Sequence, residues 1–84
     1  MVYIDTPRRL WFKGQSRLTC HCVADSLDEL HDFVHHLGLP RRAFQDKPNR
    51  PHYDLFDEQI DLARQLGATP VPNRELILRR HYGA

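Results

Sequence analysis

With 84 residues, 40% of them hydrophobic and 27% charged, and a formal net charge of +1, the chain is expected to form one ordinary globular domain spanning residues 1–84. No apolar run approaches the roughly 18 residues of a membrane span, and no basic-then-apolar leader opens the chain, so a cytoplasmic protein is expected, with no membrane partner. Ten of the twelve basic residues are Arg, but they form no broad basic stripe, which argues against a long nucleic acid as ligand.

Val2-Tyr3-Ile4-Asp5 alternates and predicts a short strand stopped by Thr6-Pro7. Arg8 to Ser16 is taken as a loop anchored by Leu10, Trp11 and Phe12. Leu18 to Ala24 alternates again, with Leu18, Cys20, Cys22 and Ala24 on one face and Thr19, His21, Val23 and Asp25 on the other. Cysteines two apart on one strand would make a strained disulfide, so both are expected to be small reduced core residues. Ser26-Leu27-Asp28-Glu29 is a capping box, and Leu27, Leu30, Phe33, Val34 and Leu37 make the apolar stripe of a first helix that Gly38 ends. A second helix is predicted from about Leu55 to Leu66, closed by Gly67. Thr69 to Pro72 predicts an edge-like extended piece, and Asn73 caps a last helix running to Arg80. The order β-loop-β-α-loop-α-β-α describes a minimal α/β sandwich of about three short strands and three helices.

Between the first two helices lie sixteen residues, Gly38 to Tyr53, with no period of their own. So long a connection in so small a domain is unusual unless it is functional or disordered. It carries Arg41, Arg42, Lys47 and Arg50 against Asp46, a local excess suited to one small anionic ligand. As a site, Arg42 grips a phosphate, Phe44 stacks on a base or ribose, and Gln45 reads an edge. As ordinary loop chemistry, the arginines are solvated and favoured by the preceding helix C-terminus.

Six histidines are many for this length. His21 stands mid-strand, either as a half-buried histidine bonded to a neighbour or as a general acid/base on a rigid element. Asp5, at a strand end, is a site carboxylate or the start of a turn. In an extended His52-Tyr53-Asp54, His52 and Asp54 project to one side, a spacing at which both touch one metal, water or phosphate; Asp54 competes as the N-cap of the second helix. His31 and His35 are one helical turn apart without an evident third ligand, so a partly buried His31 and a solvated His35 are preferred to a zinc site. The alternation of Cys20-His21-Cys22 puts thiols and imidazole on opposite faces, against a metal knuckle. The P-loop, G-x-G-x-x-G, H-E-x-x-H and G-x-S-x-G motifs are all missing from the sequence, which disfavours the corresponding enzymes.

Taken in order, Tyr3-Ile4-Asp5, Cys20-His21, Ala24-Asp25, Asp28-Glu29-Leu30-His31, Arg41-Arg42-Ala43-Phe44-Gln45, His52-Tyr53-Asp54 and Gly67-Ala68 resemble the domain of unknown function 4031 family, small proteins of bacteria and often of phages. The resemblance covers nearly the whole chain and implies a compact cytoplasmic protein, in a host cell if phage-encoded, without implying an activity. Thr6 stands where members often carry a second acid, and Asp46 to Pro51 resembles an insertion. The residues then support three expectations. The first is a phosphodiesterase or nucleotide hydrolase, with His21 and His52 as general acid and base and Arg42 on the phosphate. Asp54 or Asp5 would orient an imidazole or, with His52, hold a divalent ion. Tyr53 and His31 would join Arg41, Arg42, Phe44 and Gln45 around the ligand. The second is a module that sequesters a nucleotide-derived signal, in a phage for counter-defence. The third is an interaction domain with Trp11, Phe12 and Phe44 as anchors; a homodimer is compatible with all three.

Overall fold

A computed structural model describes residues 1–46 and 51–72 of the chain. Its elements are strand β1 (Val2–Ile4), strand β2 (Arg8–Phe12), strand β3 (Gln15–Ala24), helix α1 (Leu27–His36), a 3-10 turn (Arg41–Ala43), strand β4 (Tyr53–Phe56), helix α2 (Glu58–Gln65) and strand β5 (Thr69–Pro70). This is a small α/β fold with a mixed five-stranded sheet and, among the described residues, two helices. The last helix expected from Asn73 to Arg80 lies outside the described residues.

Strand β3 organises the sheet. Thr19 pairs with both Arg8 and Phe56, and Cys22 with both Ile4 and Tyr53, so β1 and β2 follow one edge of β3 and β4 follows the other. β1 also pairs in parallel with β5. Between the pairs Ile4↔Cys22 and Arg8↔Thr19, Asp5, Thr6 and Pro7 oppose only Cys20 and His21. That extra residue is a bulge, of the kind that re-aims a side chain. Pro7, which has no amide hydrogen to donate, sits where the ladder is interrupted.

Two expectations are corrected here. Arg8 to Ser16 is not a loop but a hairpin: Lys13 and Gly14 both take positive φ (51° and 76°), and this two-residue turn matches the twist of the strands. Leu55 and Phe56 belong to β4 rather than to the second helix. Tyr53 and Leu55 are buried and Asp54 and Phe56 less so, a period of two that pairs with β3 and satisfies the backbone there. α2 therefore starts at Glu58, and Asp57, not Asp54, occupies its N-cap position at φ 49°. The Asp57 carboxylate is held from outside the helix, by Arg17 Nε at 2.7 Å and the Leu18 amide at 3.1 Å. Arg17 also lies over the Phe56 ring, 4.6 Å from its centroid.

The first helix follows its sequence. Ser26 Oγ accepts from the Glu29 amide at 3.2 Å, and Gly38 follows the helix at φ +84°. The Glu29 carboxylate completes no box; it lies 2.9 Å from the Met1 ammonium group. Both helices pack on the sheet face that carries Val2, Ile4, Cys20, Cys22, Ala24, Tyr53 and Leu55, with Leu30, Val34, Ile60 and Ala63 completing the core. The cysteines are buried and unbridged, as expected. Burial above all pushes the Cys20 thiol up to about 12.

Candidate functional site

The opposite face of the sheet, away from α1 and α2, carries His21 and His52. Strand alternation sends His21 away from Cys20 and Cys22. His21 lies directly across from Asp54 on β4, so both project from that face. His52, two residues before Asp54, shares its side. Gln45 and His52 form an antiparallel bridge, Gln45 N donating to His52 O at 2.8 Å and His52 N to Gln45 O at 3.2 Å. This bridge ties the two ends of the segment that resembles an insertion, and by the same pairing rule places Gln45 beside His52.

Asp5 enters through the bulge and is 4% exposed. Its Oδ1 accepts from the His21 backbone amide at 2.7 Å, and its Oδ2 lies 2.7 Å from His21 Nδ1. A carboxylate oxygen accepts from an imidazole N–H, so the proton between them belongs to Nδ1, and in the neutral imidazole the lone pair is left on Nε2, which faces the site. That atom lies 3.9 Å from Asp54 Oδ1, which is in turn 3.4 Å from His52 Nε2. The two imidazoles meet edge to face with centroids 5.1 Å apart. One ligand atom from each of His21, His52 and Asp54 falls within 4.8 Å of the other two. The group stands on paired strands, and His52 is 8% exposed, so its geometry is held by backbone ladders rather than by a free loop.

The expected ligand-gripping residues divide between the two faces. Tyr53 points into the core face with no exposed surface, its hydroxyl 2.8 Å from His31 Nδ1. The Phe44 ring packs edge-on against His31 (4.7 Å) and obliquely against Tyr53 (5.3 Å). His31, Arg41 and Tyr53, with Asp32, His35 and Leu39, line a cavity of about 310 Å³ on the helix side. Burial first, then the Arg41 charge, holds the His31 imidazole below its ordinary value. Arg42 is exposed on the 3-10 turn. Of the Arg-Arg-Ala-Phe-Gln motif, only Gln45 is placed beside the histidine pair. His36 Nδ1 lies 2.8 Å from its own helix's Asp32 carbonyl. Lys47, Arg50 and His81 lie outside the described residues.

Two cations escaped the sequence reading. Arg8 pairs with Thr19, which shares a face with His21, so exposed Arg8 stands on the histidine face. Arg64 of α2, with Asp5, Thr6 and Pro70, helps line a cavity of about 220 Å³. The Lys13-Gly14 turn was the signal for the first, since it sets the hairpin register; no local pattern announces the second.

The fold is thus a small α/β sheet with an Asp-bonded histidine, a second histidine and a carboxylate on one face. The chain belongs to the DUF4031 family, proteins of unknown function, whose model matches residues 2–82. No curated protein and no solved structure matches it.

Proposed function

We propose that the protein is a small phosphoester hydrolase acting on a nucleotide-type ligand, with its reactive centre on the His21 face of the sheet. The observation that carries this reading is the Asp5–His21 pair, whose two 2.7 Å contacts aim one lone-pair nitrogen at the space shared with His52 and Asp54. The His21 nitrogen is then the base that takes a proton from a water there, which attacks phosphorus while the ester oxygen leaves, with His52 and Asp54 beside it. Arg8, on the same face through its pairing with Thr19, is the cation that would offset charge on the phosphoryl oxygens, and Gln45 is a neutral donor beside His52. Arg8 replaces Arg42 in the charge-stabilising role.

The test is a thermal-shift screen of nucleotides and cyclic dinucleotides, with and without divalent metal, followed by chromatography of each stabilising compound. Cleavage is expected, with His21→Ala or His52→Ala abolishing turnover and changing ligand affinity by less than about tenfold, or 1.4 kcal/mol. Wild-type turnover in both variants would defeat the reading. A second reading, sequestration without turnover, draws on the cavity beside Arg41, which lies on the other face from His21 and His52. It predicts a ligand recovered intact, and binding lost in Arg41→Ala but retained in His21→Ala.

A further inference from the structure

We infer that His21 Nε2, His52 Nε2 and Asp54 Oδ1 form a binding site for one divalent first-row cation of the zinc class, with Asp5 as its outer support. This deepens the reading of that face as the reactive one: the cation, rather than a bare imidazole, ionises the water. The donors come from three fixed places, β3, the residue of the Gln45 bridge and β4, and backbone pairing sets all three on one side. Two ligand atoms at zinc distances of about 2.0–2.1 Å in tetrahedral geometry lie about 3.4 Å apart. The His52–Asp54 separation is already 3.4 Å, His21–Asp54 is 3.9 Å, and all three donors lie within 4.8 Å of one another.

Charge favours the same conclusion. The centre of the cluster holds a carboxylate oxygen close to both ring nitrogens, an arrangement that repels a bare phosphate and attracts a cation, which can then receive the phosphate. Asp5 supplies the outer contact that ligating imidazoles characteristically make: a buried carboxylate accepts the Nδ1 proton and leaves Nε2 for the metal. Two imidazoles and one carboxylate suit zinc and its first-row neighbours better than magnesium, which prefers oxygen donors throughout. Three protein ligands leave positions for water and for a substrate oxygen, as in catalytic rather than structural sites.

The full chain, stripped with a chelator, is titrated with Zn²⁺ by calorimetry and with Co²⁺ by visible absorption. One cation per chain and ligand-field bands of a low-symmetry N₂O site are expected. His21→Ala, His52→Ala and Asp54→Asn should each weaken Zn²⁺ binding more than about a hundredfold, and Asp5→Asn by about 10- to 100-fold. His35→Ala, on the helix side, should leave it unchanged. Folding of each variant is checked by its thermal transition. Should any variant not fold, substoichiometric Co²⁺ added to the wild type should still perturb the ring resonances of His21 and His52 before those of His35 and His36. Wild-type affinity in the folded ligand variants, or perturbation of His35 first, would overturn the site. Cleavage that survives exhaustive chelation would remove the cation and keep the hydrolase; tight Zn²⁺ binding without cleavage of any phosphoester would do the reverse.

Discussion

Replacing Asp5 by Asn tests the support of His21 most directly. The carboxylate makes two contacts of 2.7 Å, to the His21 amide and to Nδ1, from a position 4% exposed. Hydrogen bonds to a charged group contribute about 1.5–3 kcal/mol each, against about 0.5–1.5 for neutral ones. Asn can keep its carbonyl oxygen on the backbone amide, but its NH₂ group then faces Nδ1 and cannot accept from it. The imidazole proton must move to Nε2, the atom that faces Asp54. One charged bond becomes neutral and the other reverses, so a stability loss of about 1–3 kcal/mol is expected. Urea denaturation measures that loss, and long-range ¹H–¹⁵N spectra of the neutral imidazole report the tautomer. The wild type should carry the proton on Nδ1 and Asp5→Asn on Nε2. An unchanged tautomer together with an unfolding free energy changed by less than about 0.5 kcal/mol would refute the role given to Asp5.

Two further outcomes concern the frame that holds the site. Leu55 has no exposed surface and packs in the core, so Leu55→Ala should cost about 2–5 kcal/mol in urea denaturation. Leu62 on α2 is 37% exposed, and Leu62→Ala should cost markedly less; equal losses would contradict the placement of Leu55 in β4. The hydrogen bond from Arg17 first, then that from the Leu18 amide, holds the Asp57 carboxyl below its ordinary value. Because the folded value is the lower one, this contribution is complete above the unfolded value, about 3.9, and is lost as pH falls through the folded one. Urea midpoints of the wild type and Asp57→Asn should therefore differ at neutral pH and converge in acid; a difference independent of pH would contradict the ion pair. Asn is the suitable replacement because it tolerates the positive φ at this position.

Features written within a few consecutive residues were legible. The Ser26 cap and Gly38 stop bracket α1 as expected, and the alternation around His21 separated it from the two thiols. The same rule put His52 and Asp54 on one side. What misled was competition between periods: Leu55, Phe56, Ile60, Ala63 and Leu66 satisfy a helical spacing, yet Tyr53 to Phe56 find a better partner in β3. The Lys13-Gly14 turn was local and available, and overlooking it hid β2 and with it the position of Arg8. Arg41 to Gln45 appeared as one grip because a short motif carries no information about which way each side chain faces. The bridge to His52 puts Gln45 on the histidine face, while Phe44 packs with Tyr53 and His31.

The sequence alone determined the α/β composition, the first helix and its ends, the buried thiols, and a His52–Asp54 pair at the end of the long connection. These follow from propensity, capping and the two-residue period of a strand, all of which act over short stretches of chain. Only the tertiary structure decided that Asp5 holds His21, that His21 faces Asp54, and that the connection is divided between two faces. Such relations join residues 16 to 33 positions apart through strand register, and register is set by which buried faces meet in the folded sheet.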